Sequence, residues 1–274
     1  MRRLPWKTKF AWGLLAVILL MSLLAPVIAP YDPLASDLTV ALEGPSREHW
    51  LGTDNIGRDF LSRVLYGGRQ SIVLALAATA LSMALGFLVG LLAGYYGGVV
   101  DAVITTVSNV FQGLPGLTLM IAVAGLMGQG VTSMLIAIVI NSWVGFSRIV
   151  RGEVMKLKQE SFVDGLRTVG AGSARILFAH ISPNLLGTVS VMFATRIAGN
   201  IISVASLSYL GLGLQPPTPD WGVMISDAQQ YFRRRPLLVL APGLCIVLLS
   251  LSVNLIADSL RDRFDVREDN LKNM

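Results

Sequence analysis

The sequence predicts an all-α membrane protein with six transmembrane helices and with both termini in the cytoplasm. Of its 274 residues, 53% are hydrophobic and only 14% are charged, whereas soluble domains are about a quarter charged. The apolar residues form runs long enough to cross roughly 30 Å of hydrocarbon as helices. Because a span in lipid must satisfy its own backbone hydrogen bonds, each of these runs is expected to be a helix.

Six apolar runs are the predicted spans. In chain order they are Phe10–Ile28, Ser71–Gly94, Val99–Met127, Val131–Phe146, Leu185–Leu214 and Leu237–Ala257. The first run could be a signal peptide, but it exceeds a usual signal core, and Pro26 and Pro30 flank the candidate cleavage site. We therefore expect an uncleaved span. Residues 1–70 would form this span and an extracytoplasmic segment, and residues 71–274 would form a transmembrane domain of five spans.

Local features refine the second and third spans. Small residues recur every four positions in the second span, and they predict a face on which a neighbouring helix packs closely: Ala78, Ser82, Gly86, Gly90 and Gly94. Just before this span, Asp59–Tyr66 is expected to form a short amphipathic helix at the membrane surface. Asp101 opens the third span and is expected to stabilise its positive dipole end, and Pro115 interrupts the span.

The distribution of basic residues sets the predicted orientation. With the N-terminus inside, fourteen of the 22 Lys and Arg residues fall in the first nine residues, in the polar stretch Arg148–Asn184 and in the tail. Seven fall in the outer segments, and Arg196 lies within a span. This excess agrees with the positive-inside rule, and it explains the net charge of +5 without a nucleic-acid partner.

The chain carries no recognisable chemistry of its own. Its one cysteine, Cys245, lies in an apolar run, and its two histidines, His49 and His180, are far apart in sequence. No metalloprotease, paired-cysteine or phosphate-binding loop pattern occurs. We therefore expect no catalytic residue, no metal site and no cofactor bound to this chain.

The polar stretch Arg148–Asn184 lies between the fourth and fifth spans. Within it, Phe162, Val163, Leu166 and Val169 fall on one face of a predicted helix. Gly170 and Gly172 then break the helix, Ser173–Ala179 forms a second short segment, and Pro183 precedes re-entry into the membrane: this predicts a compact knob. Such a knob could fit a groove on a soluble partner, or a basic loop here could rest on anionic headgroups.

The same stretch resembles a family signature. Asp164-Gly165-Leu166, then Gly170, then His180-Ile181-Ser182-Pro183 is similar to the EAA signature of ABC-importer permeases, although both alanines and the Ile and Leu positions differ. Three further stretches resemble the second permease of the peptide/nickel branch: His49–Arg63, Ser208–Met224 and Asn254–Asp265. The resemblance covers nearly the whole chain, in the family's order.

This resemblance implies a permease half with defined partners. It would pair with a second permease, two cytoplasmic ATPase subunits that bind ATP and Mg, and an extracytoplasmic substrate-binding protein, within the lipid bilayer of the cell inner membrane. The residues that would couple it to an ATPase match the signature: Asp164, Gly165, Gly170, His180 and Pro183. The cargo stays open between short peptides and nickel, free or chelated.

Two residues of the fifth span are candidates for the translocation path. Arg196 lies about 16 Å along the span, near mid-membrane, and Asn200 is one turn further on. A charge at this depth is expensive and usually faces a cavity or a partner, so Arg196 could line the path or pair with the other permease.

Two other classes of function predict features that this sequence lacks. An ion-gradient-driven secondary transporter would show broken helices in two halves and acids within its spans, and no Asp or Glu lies deep in a predicted span. An intramembrane enzyme would need a nucleophile and base at membrane depth, and no such pair is evident.

Overall fold

The computed structural model describes the backbone of residues 5–272 and the side chains of residues 5–262, and this part of the chain contains helices and no β-strand. The α-helices are α1 Trp6–Leu23, α2 Ala25–Ile28, α3 Phe60–Tyr96, α4 Gly98–Gln112, α5 Gly116–Met127, α6 Val131–Leu157, α7 Ser161–Thr168, α8 Ser173–Arg175, α9 Ser182–Asn184, α10 Leu186–Tyr209, α11 Trp221–Ala228 and α12 Leu237–Lys272. The all-α prediction is confirmed for these residues. Part of the charge count, the side chains of Arg2, Arg3, Arg263, Arg267 and Lys272, lies outside the described residues.

Five helices are long and apolar enough to cross a membrane: α1, α3, α6, α10 and the Leu237–Asp262 part of α12. Helices α4 and α5 make a sixth candidate if the pair counts as one span. They meet at a bend of 92°, where Pro115 has no backbone N–H to continue the α4 ladder. The interruption predicted at Pro115 is therefore confirmed.

Helix α3 begins at Phe60, so the prediction of a separate surface helix at Asp59–Tyr66 is wrong. The Asp59 carboxylate caps α3 by accepting a hydrogen bond from the Ser62 backbone N–H at 2.8 Å. The first turns are packed rather than laid on a surface, since the Trp221 indole N–H donates to the Val64 carbonyl at 3.0 Å. One continuous helix of 37 residues results.

The predicted small-residue face of α3 packs against α6. A Cβ added at Gly86 would lie 2.5 Å from the Phe146 Cβ, and one added at Gly90 would lie 2.6 Å from the Ser147 carbonyl oxygen. At Gly94 the corresponding distance to the Val154 Cβ would be 2.8 Å. Only glycine permits this approach, and we call the contact the glycine seam. Because the residue numbers rise together on both helices, α3 and α6 run parallel.

Helix α6 continues to Leu157, eleven residues beyond the predicted end of the fourth span at Phe146. The predicted span stopped before Arg148 and Arg151 because both are charged, but both side chains have partners on α4. The Arg148 guanidinium donates to the Asn109 side-chain oxygen at 2.6 Å, and Arg151 forms a two-pronged ion pair with Asp101. Because both guanidinium groups have hydrogen-bond partners, α6 can continue through the two arginines. Asp101 is in the first turn of α4 as predicted, and its partner is Arg151 rather than the helix dipole alone.

Two apolar clusters hold these helices together. The larger joins α3, α5, α6, α10, α11 and α12. The smaller joins the ends of α3 and α6 to the segment between α6 and α10 through fully buried side chains: Leu91, Val154, Val163, Leu177 and Ile181. The segment predicted as a knob is thus seated on the two helices that form the glycine seam.

Candidate functional site

Residues 158–185, which we call the short-helix loop, connect α6 to α10. They contain α7, a tight turn, α8, a π-helical turn at Ile176–Ile181, and α9. This order matches the predicted helix, glycine turn, short helix and proline. All the residues proposed to couple the chain to a partner lie in this loop, and the structure brings them onto one small folded unit.

Helix α7 has a buried side and an exposed side. Val163 is fully buried and Leu166 is half-buried, and both pack against the smaller apolar cluster. Phe162 and Val169, predicted on the same face, are exposed. The predicted apolar face spans an arc of about 120° at 100° per residue, and the spans cover only one edge of it. At the other edge, the apolar side chains of Phe162 and Val169 are exposed to solvent.

The outer side of α7 carries the charged member of the signature. The Asp164 carboxylate accepts a hydrogen bond from the Arg167 guanidinium at 2.9 Å, and both side chains are largely exposed. Gly165 is also exposed, and a Cβ added there would meet nothing within 4 Å. Packing within the described part of the chain therefore does not require a glycine at this position.

Gly170 ends α7 for a conformational reason. Its φ of +77° is in the left-handed region, which L-residues with a Cβ avoid. The backbone N–H of Ala171 donates to the Leu166 carbonyl and that of Gly170 to the Arg167 carbonyl, each at 2.9 Å. These two bonds form a Schellman motif, which turns the chain sharply after α7.

The second half of the loop contains a π-helical turn. Ile176, Leu177 and Ile181 point into the smaller apolar cluster and are buried. His180 is half-buried, and its carbonyl accepts a hydrogen bond from the Asn184 side chain at 2.6 Å. Pro183 is exposed in α9, where its missing N–H leaves no ladder bond unmade at the helix start.

A cavity of about 460 Å³ lies beside α7, between it, the first turn of α4 and the ends of α3 and α6. Its lining carries both signs of charge: Asp101, Lys158, Asp164 and Arg167. On one side of the cavity, Lys158 donates to the carbonyl of Tyr95 at the end of α3 and lies 5.6 Å from the Tyr95 ring. The short-helix loop is thus tied to α3 at its start, while α7 stands apart from α4.

The two path candidates on α10 have different surroundings. Asn200 is buried, donates to the Thr79 hydroxyl at 2.8 Å and accepts from the Ser142 hydroxyl at 3.4 Å, so it joins α10 to α3 and α6. Arg196 is exposed and lies over the ring of Phe146 at 5.8 Å. Only Arg196 presents its side chain to a surface of this chain.

The opposite end of the molecule is closed by a group of buried charges. Residues 31–63, which include the first turn of α3, fold over residues 211–236, and we call the two segments together the charged cap. Asp54 pairs with Arg58 at 2.6 Å and with Arg63 at 3.3 Å, and all three side chains are nearly inaccessible. Arg63 also donates to the Pro217 carbonyl at 3.3 Å. The resembling stretches His49–Arg63 and Ser208–Met224 therefore meet in this cap.

Two further carboxylates of the charged cap have altered acidity. Asp220 caps α11 and accepts from the Ser71 hydroxyl at 2.7 Å, and burial raises the pKa of its carboxyl group. Burial also raises the pKa of Asp227, which lies 4.0 Å from Arg58. Sequence reasoning missed both residues. Asp54, Arg58 and Arg63 are close in sequence, but Asp227 and Asp220 lie more than a hundred residues from their partners Arg58 and Ser71. No local pattern could reveal those two contacts.

No group of three or more His, Cys, Asp or Glu side chains within residues 5–262 is arranged to hold a metal ion. Cys245 is half-buried in α12, apart from the short-helix loop and the charged cap.

Comparison with known proteins identifies relatives along most of the chain. A family model described as the inner membrane component of binding-protein-dependent transport systems matches residues 86–267, a range that contains the whole short-helix loop. The glutathione transport system permease protein GsiD of Escherichia coli O157:H7 is 42% identical over 250 residues, 91% of this chain and 82% of the relative. GsiD of Salmonella typhimurium is 41% identical over 256 residues, 93% and 84% of the respective chains.

Proposed function

Because the chain belongs to the inner-membrane components of binding-protein-dependent transport systems, we propose that it is the six-span permease half of an ATP-driven importer of short peptides. It is a multi-pass protein of the cell inner membrane and a peptide-type ABC permease. The chain is not an enzyme, since ATP hydrolysis lies in separate ATPase subunits. One observation carries the proposal: the short-helix loop is fixed to the spans by an apolar underside and exposes a charged outer side.

A count of six spans is supported by the direction of the helices. Helices α3 and α6 run parallel along the glycine seam, so the chain must cross back between them. The bent pair α4 and α5 then acts as one crossing. With six crossings both termini lie on one side, and the excess of basic residues favours the cytoplasm for that side and for the short-helix loop. Residues 1–70 would then comprise the first span, the outer segment and the first turns of α3, and residues 71–274 would form the rest of the transmembrane domain.

The proposed coupling element is α7. Exposed Phe162, Val169 and Asp164, with the open position at Gly165, offer an ATPase a surface that combines apolar and charged groups. Gly170 fixes the turn behind this surface, while His180 and Pro183 start the return to α10. Because Val163 and Leu177 fix the loop to the smaller apolar cluster, movement of an ATPase is passed to α3 and α6. Alternating access would follow from rigid-body movement of these helices.

The family assignment supports three kinds of partner for this chain. A second permease would complete the translocation path, and two ATPase subunits carrying ATP and Mg would bind the cytoplasmic side. An extracytoplasmic substrate-binding protein would deliver cargo to the side of the charged cap. Within this assembly Arg196 lines the path, and Asn200 supports it from the buried side of α10.

Peptide cargo is favoured over nickel. Both relatives described above are named as glutathione permeases, and glutathione is a tripeptide. We propose that the cargo is a peptide of similar size that is delivered by the binding protein, as opposed to a free or chelated nickel ion. Uptake of glutathione, trialanine and Ni²⁺ by the complete transporter in proteoliposomes distinguishes these cargoes. ATP-dependent uptake of Ni²⁺ alone would contradict the peptide assignment.

A substitution at Gly165 tests the coupling role. Gly165→Leu adds bulk to the exposed side of α7 without a neighbour in this chain within 4 Å of its Cβ, so the permease should fold normally. If an ATPase binds there, its affinity in a pull-down should fall about tenfold, equivalent to about 1.4 kcal/mol. Gly13→Leu on exposed α1 is the control, because its Cβ also meets nothing within 4 Å. Equal ATPase binding by both variants would refute coupling through α7.

An ion-gradient-driven transporter is the alternative, and the family assignment does not favour it. In the same proteoliposomes, an ionophore that collapses ion gradients should leave ATP-driven uptake unchanged. Uptake that requires the gradient and not ATP would support the alternative.

A further inference from the structure

Arg196 is a cation without an anionic partner at membrane depth. It lies ten residues after the start of α10, about 15 Å along the helix, and thirteen residues before its end at Tyr209. Among the side chains of residues 5–262, no carboxylate is within ion-pair distance of its guanidinium, and no hydrogen bond from it occurs. A charged group at this depth faces a water-filled cavity or a partner almost without exception.

The chain provides a seat for this guanidinium. A Cβ added at Gly145 would lie 2.3 Å from a terminal nitrogen of Arg196 and 3.0 Å from its Cζ, so a side chain at position 145 would displace the guanidinium. The neighbouring Phe146 ring, which is fully buried, lies 5.8 Å from the Arg196 Cζ. A cation over an aromatic face is attracted to it. Helix α6 therefore holds the charge in place without neutralising it.

The surface around Arg196 is unlike a lipid-facing surface. Small and polar residues recur on this side of α10, and all are exposed or half-exposed: Thr195, Gly199, Ser203, Ser206 and Tyr209. Ile202 is an exposed apolar residue among them. By contrast, the exposed side chains in residues 237–251 of α12 are aliphatic: Leu240, Leu244, Val247, Leu248 and Leu251. Lipid contact suits the second pattern, whereas the first pattern suits water or a polar ligand. We call the α10 surface the polar stripe.

The polar stripe connects Arg196 to the charged cap. At its far end the Tyr209 hydroxyl donates to the side-chain oxygen of Gln229 at 2.7 Å, directly after α11. The stripe is about 20 Å long and contains no acidic residue. A solute entering from the cap side therefore meets hydroxyl groups first and one fixed positive charge at the middle of the membrane.

We propose that Arg196 binds a carboxylate of the peptide cargo at the middle of the translocation path. This inference rests on the proposed importer function. Every unmodified linear peptide carries a terminal carboxylate, and the planar guanidinium fork matches a carboxylate with two parallel hydrogen bonds. Arg196 is thus a specificity-determining residue that favours anionic cargo and disfavours metal cations.

Uptake by the complete transporter in proteoliposomes tests this inference. The probes are trialanine and trialanine amide, each at a concentration that saturates the binding protein. Arg196→Gln should lower trialanine uptake about tenfold or more, since a hydrogen bond to a charged group is lost, and should leave amide uptake within about twofold. Arg196→Lys should retain part of the trialanine uptake. Gly145→Ala, which displaces the guanidinium, should resemble Arg196→Gln.

A second measurement locates the carboxyl end directly. Gly199→Cys, on a background that keeps Arg196 and carries Cys245→Ser, is combined during turnover with trialanine analogues. These analogues carry a thiol-reactive group on the side chain of either the last or the first residue, so that the terminal carboxylate stays free. Preferential labelling from the carboxyl end is expected, and equal labelling or none would overturn the assignment. An equal loss of uptake for both probes in Arg196→Gln, or loss of the second permease on purification, would instead make Arg196 a partner contact. If the wild type imports neither probe, the proposed function itself fails.

Discussion

The charged cap and the short-helix loop use charge in opposite ways. In the cap, Asp54 and Arg63 are buried and paired with each other, and backbone carbonyls complete the network. In the loop, Asp164 and Arg167 are paired on the exposed surface, and the buried contacts are made by apolar residues such as Leu177. The charged groups of the cap thus find their partners within this chain, whereas those of the loop are exposed and can contact a partner protein.

The largest effect is expected from breaking the cap network. Asp54→Ala removes the shared partner of Arg58 and Arg63. It leaves buried Arg63 without a paired carboxylate and Arg58 with Asp227 alone, at 4.0 Å, so the free energy of unfolding should fall by about 3–5 kcal/mol. Asp164→Ala is the matched change in the loop, and it should cost about 0–1 kcal/mol because that pair is exposed. Unfolding of both variants in detergent, followed by tryptophan fluorescence, measures the difference. Similar losses would contradict the contrast between the two regions.

The next largest effect is expected from the buried contacts of the short-helix loop, compared with its exposed residues. Leu177 is fully buried and its neighbour Phe178 is 54% exposed. Leu177→Ala should destabilise the seated loop by about 2–5 kcal/mol, measured as faster amide hydrogen exchange across residues 161–184. Phe178→Ala should leave exchange in the loop unchanged. If both substitutions accelerate exchange equally, the loop is not anchored from one side.

A smaller effect is expected at the turn after α7. Gly170→Ala places a Cβ in the left-handed region and should cost about 1–2 kcal/mol, again measured by hydrogen exchange in α7. Gly165→Ala is the control within the same helix, and it should stabilise α7 by up to about 1 kcal/mol. A neutral Gly170→Ala would mean that the Schellman turn is not required.

The smallest effect is a pH dependence confined to the cap. Because burial raises the pKa of Asp227, the folded state holds this proton to higher pH than the unfolded state does. Stability therefore falls as pH rises above the ordinary aspartate pKa of about 4 and through the raised value. Asp227→Asn should remove that loss, so its stability relative to the wild type should rise with pH. Melting temperatures of both proteins from pH 4 upward measure the trend, and parallel curves would contradict it.

Much of the fold was predictable from local signals. Each of these signals lies within a short stretch of sequence: the long apolar runs, the break at Pro115, the four-residue spacing of Gly86, Gly90 and Gly94, and the helix that ends at Gly170. The errors arose where a polar residue finds its partner far away. Arg148 and Arg151 looked like the start of a loop, yet both remain helical because α4 supplies Asn109 and Asp101.

The candidate sites follow the same rule. The short-helix loop was predictable because its helix, turn and proline are contiguous in sequence. Asn200 appeared equivalent to Arg196 on the sequence, but its partner Thr79 lies 121 positions away and no periodicity reveals that pairing. The contact between Arg58 and Asp227 in the charged cap was equally hidden, since the two residues are more than a hundred positions apart in sequence.

The glycine seam has a practical consequence for observing transport. Backbone atoms of α3 and α6 approach so closely at Gly86, Gly90 and Gly94 that the two helices can hardly slide or separate without a clash or a void. Spectroscopic labels on the outer surfaces of these two helices should therefore report a constant separation throughout the transport cycle. The constant distance between the labels on α3 and α6 serves as an internal reference, with which a changing distance to a label on α10 or α12 can be compared.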